Sequence, residues 1–382
     1  MDKVEFPGRG KVAIVRTTPE TVLDDYARLM ELSDYQEILP KDKTTQLKIN
    51  ISWQTWYPAC STTPWQLEGV IKVLKGAGYD LVGVHNDTVV VDTSVGEANN
   101  KQRYVTDKYD VPCVYIYKPE VNWVPYQTKR PYLVLDKIYP EGVYIPEMLI
   151  GKNIVQLPTM KTHVFTTITG AMKNAFGGLL GRKRHWTHSV IHETVVDLLM
   201  IQQEIHPGLF AVMDGTFAGD GPGPRAMNWH EKNILMASAD QVAIDAASAM
   251  LQGFDPLSIP FLRIGHELGL GVADPREIEF VGDVDATAER WNFVQEDTFA
   301  SRGQKAIYHG ALKPFEAMLL RSPIVSWSYF ASNFYHNVYW YPVVGRKRVE
   351  AALDTPWGRL FQQYGAEVLH PKNGFPLFEI KT

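Results

Sequence analysis

The run Gln46-Leu47-Lys48-Ile49-Asn50-Ile51-Ser52, the cap sequence Ser61-Thr62-Thr63-Pro64 and the closing Leu81-Val82-Gly83-Val84-His85 together decide the fold class. The first reads as a buried strand. A hydroxyl residue before proline is a helix start, because the hydroxyl caps a free N–H and proline lacks an N–H that the first turn would leave unpaired anyway. The spacing predicts a helix over 64–75 that stops at Gly76-Ala77-Gly78, and then a second strand over 81–85. Strand, loop, helix and strand at this spacing form a parallel crossover.

The same alternation extends outward. Residues 11–16 read as a short buried strand, followed by a helix over 19–32 behind Thr18. Further strands are expected at 111–117, 132–135, 153–157 and 209–214, with helices at 187–204 and 239–251. The pattern predicts an α/β protein whose mostly parallel sheet carries helices on both faces. It also predicts a core over residues 1–285 and a mainly helical, aromatic-rich extension over 286–382, where strand-like runs become scarce.

With 382 residues, the chain can bury a large core without disulfide or metal staples. A net charge of -5 argues against a protein whose whole surface binds nucleic acid. Cys60 and Cys113 are too few for a four-thiolate cluster, and so low a count fits a reducing, cytoplasmic compartment. Residues 1–10 lack the apolar core of a secretion signal, and no run of twenty apolar residues offers a membrane-spanning helix.

Between Glu147 and Glu193 there is no acid, yet Lys152, Lys161, Lys173, Arg182, Lys183 and Arg184 stand there with His163, His185, His188 and His192. Either these cations pair with acids from elsewhere in the fold, or they face a cleft and hold an anion. Lys161 and His163 follow a predicted strand, at the edge where open α/β sheets bind ligands. Thr169, Lys173, Asn174 and Arg182 are candidate anion contacts, as are Lys48, Asn50 and Thr63 near the first crossover. Lys161, His163 and His188 are the candidates to polarise or protonate a substrate. His185, His188 and His192, spaced i, i+3 and i+7, are expected on one helical face. Asp214 ends a predicted strand and Asp220 lies in the Gly-Pro loop 219–224, and both are candidates to bind a divalent cation, with Asp214 alternatively orienting a histidine. Asp245, expected to be buried in a helix, needs a partner, for which Lys173 or Arg182 is proposed. Neither a P-loop nor a dinucleotide Gly-x-Gly-x-x-Gly fingerprint is present.

Residues 323–344 contain no charged side chain and hold Trp327, Tyr329, Phe330, Phe334, Tyr335, Tyr339, Trp340 and Tyr341, flanked by Arg321 and Arg346-Lys347-Arg348. Three readings fit: packing against the core, a hydrophobic ligand wall or subunit interface, and peripheral contact with a membrane.

Lys48-Ile49-Asn50, Thr63-Pro64, Leu157-Pro158 through Lys161-Thr162-His163, Thr169-Gly170-Ala171-Met172-Lys173-Asn174, Asp214-Gly215, Gly219-Asp220-Gly221-Pro222 and Ala243-Ile244-Asp245-Ala246, in this order, resemble the domain-of-unknown-function 362 family over about residues 45–285. The resemblance implies an α/β fold. It supplies no catalytic assignment. Many relatives carry ferredoxin-like cysteine clusters, which this chain lacks, so no iron-sulfur cluster is expected. The sequence as a whole points to an enzyme acting on an anionic, carboxylate-bearing small molecule, with or without a bulky apolar part, by lyase, decarboxylase or isomerase chemistry. A redox accessory protein and a non-catalytic carrier are the alternatives.

Overall fold

The computed structural model describes residues 3–85, 91–308, 310, 313–315 and 333–365. One large sheet organises the chain. Its strands are β1 (Lys11–Arg16), β2 (Thr45–Ile49), β3 (Leu81–His85), β4 (Cys113–Tyr115), β7 (Asn153–Leu157), β8 (Thr159–His163), β9 (Thr167–Thr169), β10 (Leu209–Asp220), β11 (Asn228–Ser238) and β12 (Glu279–Gly282). The short strands β5 (Trp123–Pro125) and β6 (Tyr144–Pro146) pair apart from it. The strand order is β12-β1-β11-β10-β7-β2-β3-β4, with β8 paired to β10 and β9. From β10 to β4 every neighbouring pair is parallel, whereas β11 runs antiparallel to both β1 and β10.

Side-chain alternation explains the long apolar runs. In β1, Ala13 and Val15 join one buried cluster while Val12 and Ile14 join another on the opposite face. In β10, Val212 faces the first cluster, and Ala211 and Met213 face the second. A strand covered on both faces has no solvent side on which polar residues would alternate. The Val22–Leu32 and Pro64–Gly76 helices cover the first face, and the Ile191–Ile205, Gln241–Gln252 and Pro260–Glu267 helices cover the second.

The helix after β2 starts as its sequence requires. The Thr63 hydroxyl accepts the Gln66 N–H, the Gln66 side chain returns to the Thr63 N–H, and Pro64 occupies the first turn. Such a reciprocal cap satisfies two otherwise unpaired donors. The extension packs on the first face through Trp340, Tyr341, Trp357, Phe361 and Tyr364. Trp357 Nε1 donates to Asn233 Oδ1 at 2.7 Å, and the rings of Trp56 and Phe361 stack at 4.1 Å. Residues 323–332, with Trp327, Tyr329 and Phe330, lie outside the described residues.

Several expectations are corrected. Residues 132–134 form no strand, because the backbone N–H groups of Leu133, Val134 and Leu135 all donate to the buried Asp197 carboxylate and not to a neighbouring strand. Residues 161–163 lie in strand β8 and not in a loop: β10 continues past Asp214, so its far half pairs with β8. Asp245 is not matched to Lys173, and the Arg182 side chain lies outside the described set. The Asp245 carboxylate accepts the N–H groups of Ala171 and Met172 at the start of the Ala171–Asn174 turn. Gly170 makes room for it, since a Cβ there would lie 2.0 Å from Asp245 Oδ1.

Candidate functional site

A cavity of about 270 Å³ opens at the C-terminal ends of β2, β3 and β7. Lys48 is the penultimate residue of β2, His85 the last of β3, and Lys161 and His163 come from β8, which follows β7 after one residue. This is the edge at which parallel α/β sheets bind ligands, because the strands end there and the crossover loops diverge. Lys173 and Asn174 arrive on the turn that Asp245 caps, and Arg184, His185 and His188 arrive on the 3-10 segment Arg182–Val190. Among the described residues, no Asp or Glu lines the cavity.

The three lysines differ in what holds them. Lys161 Nζ, buried, donates to the carbonyls of Ala59 and Cys60 at 3.1 and 3.0 Å and to the Thr159 hydroxyl. Lys48 Nζ, also buried, donates to its neighbour's carbonyl, Ile49 O, at 2.6 Å. Lys173 is half-buried, and among the described residues its ammonium has no hydrogen-bond or ion-pair partner; it lies 5.8 Å from the Phe176 ring centroid. Burial without a counter-ion favours the neutral amine. It lowers Lys48 and Lys173 to about 7, with the Arg184 charge adding to both, and lowers Lys161 to about 8.

Hydrogen bonds set the two central histidines in opposite roles. His163 Nδ1 accepts the Phe165 N–H at 3.2 Å, so its proton sits on Nε2. His188 Nδ1 lies 2.9 Å from the His185 carbonyl, to which it must donate, so its lone pair sits on Nε2. Both rings stay neutral near pH 7. Burial, with nearby cations adding, pushes His163 well below the usual histidine range and His188 to about 4. The ring of Phe165 contacts both, at 5.9 and 5.6 Å. A neutral donor and a neutral acceptor side by side can exchange a proton with one ligand.

Other candidates have positioning roles. Asn174 Nδ2 donates to the Lys48 carbonyl and to Gln156 Oε1, both at 2.9 Å, tying the turn to two strands. Asn50 and Thr169 line the cavity. Arg182 opens the 3-10 segment, and its side chain is outside the described set.

Asp214, Asp220 and Thr63 lie elsewhere. Asp214 is fully buried on the helix-covered side and accepts from Tyr26, Thr63, Trp65 and Thr216. Thr63 is spent on that carboxylate and on its own helix cap. Asp220 accepts the Val294 N–H at 2.7 Å and approaches His230 at 3.7 Å. The two carboxylates stand six residues apart on one strand, roughly 20 Å at about 3.3 Å per residue, too far to share a cation. Among the described residues, no group of three or more His, Cys, Asp or Glu side chains is arranged to hold a metal ion. The expected histidine face also divides. His185 and His188 share the cavity, as i and i+3 do in a 3-10 helix, while His192 stacks on Phe261 at 5.9 Å.

Sequence reasoning missed His85 and Arg225 as cavity residues. His85 Nε2 donates to Glu97 Oε1 at 2.9 Å; Glu97 also accepts from Arg103 and Tyr115. Its signal was its place as the last residue of a predicted strand, the same signal that marked Lys48. Arg225 Nε donates to Ser52 O at 2.9 Å. No short motif around it signals this, because its partner lies far away in sequence.

The lysine pKa values set a pH dependence. Only protonated lysines attract an anion, so anion affinity should be greatest below about pH 7 and fall as pH rises through 7–8. Above pH 7 the complex should take up protons on binding. Calorimetry of malonate binding in buffers of different ionisation enthalpy checks both, and affinity flat from pH 6 to 9 contradicts them.

The fold and cavity define an α/β protein with a cationic pocket at the C-terminal edge of its parallel strands. Residues 46–250, more than half of the chain, match the family described as "Domain of unknown function (DUF362)", and the chain belongs to that family. A curated relative is the "Thylakoid-associated protein sll1697" of Synechocystis sp. (strain ATCC 27184 / PCC 6803 / Kazusa), 31% identical over 128 residues. That alignment covers 32% of this chain and 40% of the relative, so the match spans less than half of either. No solved structure matches the chain.

Proposed function

We propose that the protein is an enzyme that binds a compact carboxylate-bearing anion in this pocket and moves a proton on it, as a lyase, decarboxylase or isomerase does. The observation that carries the reading is Lys173: a half-buried lysine, without a partner among the described residues, in a cavity to which the described residues bring cations and no carboxylate. A ligand anion supplies the missing partner through charge-assisted hydrogen bonds. Lys48 and Lys161, held in place by backbone carbonyls, add charge when protonated, and the cavity's volume suits a small molecule.

His163 Nε2–H donates to oxygen that gains negative charge, and His188 Nε2 receives the proton. Lys173, near neutrality, serves as a second acid or base. A panel of 2-oxo acids incubated in D2O tests this. Deuterium exchange at the carbon beside the carbonyl is expected with the wild type and is expected to fall about a hundredfold in His188→Ala. Binding without exchange by any acid that binds in the pocket would instead make the protein a carrier.

Among the described residues, no helix is long and apolar enough to cross a membrane. Peripheral membrane contact has its own support. Phe334, Val338, Tyr339 and Val343 are all more than half exposed on one helical segment, followed by exposed Arg346 and Lys347. An apolar face with basic flanks suits an anionic lipid surface, and the curated relative is called thylakoid-associated. Co-sedimentation with phosphatidylglycerol vesicles is expected for the wild type and should be lost in Val338→Glu/Val343→Glu. Equal sedimentation of both contradicts the contact.

A further inference from the structure

A second cavity, about 470 Å³, lies on the other side of the Arg182–Val190 segment. Trp123, Tyr139, Tyr144 and Trp186 supply aromatic surface, while Leu180 and Val143 are buried against it. The rings of Tyr139 and Trp186 are nearly parallel, 23° apart, at 6.3 Å. The Tyr139 hydroxyl donates to Lys183 O, which ties this wall to the 3-10 segment. Arg184 lines both cavities.

We propose that the two cavities are halves of one site for a bipartite ligand: a carboxylate in the cationic pocket and a planar aromatic group in the Trp123–Trp186 pocket, with Arg184 between them. The inference rests on the preceding reading that the first pocket takes an anion. Three observations carry it. Arg184 is only 7% exposed, and its charge reaches Lys48 and Lys173; a guanidinium so placed suits an anion on one side and a ring face on the other. The second cavity is lined largely by aromatic and aliphatic groups, with Glu141, Lys183 and Arg184 as its charged residues, a composition that suits an apolar moiety. The segment between the cavities is a nine-residue 3-10 run, Arg182–Val190, where such runs rarely pass three or four residues. It gives Arg184, His185 and His188 to the first cavity and Lys183, Arg184 and Trp186 to the second. A ligand seated in both would contact this one element from two sides. The first cavity supplies most of the cations, and the second supplies the two tryptophans.

The test is calorimetric binding of propanoate, 3-phenylpropan-1-ol and a series of ω-phenylalkanoates from phenylacetate to 5-phenylpentanoate. In the wild type, at least one phenyl acid is expected to bind about tenfold or more tighter than propanoate, as burial of much of a ring predicts. Trp186→Ala should remove that gain and leave propanoate affinity unchanged, whereas Trp186→Phe, which keeps a ring and guards against a folding defect, should restore most of it. Equal binding of propanoate and every phenyl acid, or a gain that survives Trp186→Ala in folded protein, overturns the proposal. So does Trp186-dependent binding of the alcohol as tight as that of the acids, because that would make the aromatic pocket independent. The anion reading fails separately, if Lys173→Met leaves propanoate affinity unchanged.

Discussion

Lys173→Met is expected to weaken malonate binding at pH 6.5 by about tenfold to a hundredfold, since a hydrogen bond to a charged group contributes about 1.5–3 kcal/mol. The thioether keeps most of the stem's volume but removes the ammonium, which lies 5.8 Å from the Phe176 ring centroid and has no protein acceptor among the described residues. The same variant should be more stable than the wild type near neutral pH. The wild-type lysine holds its proton to about 7 when folded and to about 10.5 when unfolded. Between those values the unfolded chain binds more protons, so the wild type gains stability as pH rises through that window and loses it as pH falls. The advantage of Lys173→Met should therefore shrink from pH 7 toward pH 10.5. Calorimetric titration and urea melts across pH measure the two effects. Unchanged malonate affinity would move the ligand away from this pocket.

Asp214→Ala is expected to lower stability by about 3–5 kcal/mol while leaving malonate affinity of the folded protein near that of the wild type. One oxygen accepts from Tyr26 Oη at 2.8 Å, Thr63 Oγ1 at 2.8 Å and Trp65 Nε1 at 2.9 Å, and the other accepts from the Thr216 N–H and hydroxyl at 2.9 and 2.7 Å. These groups come from the helix after β1, the helix after β2 and β10 itself, so one carboxylate joins three elements. Its pKa is raised by burial, with these donors pulling the other way. Removing it strands several buried donors, each costing about 1–3 kcal/mol. A fall of roughly 4–6 °C in melting temperature is the expected readout. Asp214→Asn, which keeps one acceptor oxygen, should lie between. If Asp214→Ala kept its stability and lost ligand binding, Asp214 would belong to the site after all.

The sequence was legible where physical constraints were local. β1 and β3 are largely apolar runs, β2 and β7 are buried along their length with apolar residues interleaved with polar ones, and the helix after β2 carries its cap in Thr63, Pro64 and Gln66. Lys48, Lys161, His163, Lys173 and His188 could be named because an acid-free stretch and strand ends are visible in one dimension; the structure places all five around one cavity. The unread parts depend on distant partners. β8 is rich in Lys, Thr and His and has no strand-like apolar pattern, and it is held by the far half of β10. Asp214-Gly215 has the composition of a turn, yet β10 continues through it, with a register shift between Gly215 and Phe217, because β11 pairs on both sides of it. Tyr132-Leu133-Val134-Leu135 has the apolar character of a strand, but Asp197 takes its N–H groups. Helical periodicity failed for His192 because residues 182–190 follow a 3-10 period and not an α period.

The most direct measurement is a crystal structure of the protein grown with malonate. The account predicts a malonate carboxylate in the cavity between β2, β3 and β8, accepting a hydrogen bond from Lys173 Nζ and lying near His163 and His188. A structure in which malonate binds only outside this cavity, or in which Lys173 is paired with a carboxylate of the chain itself, would contradict it.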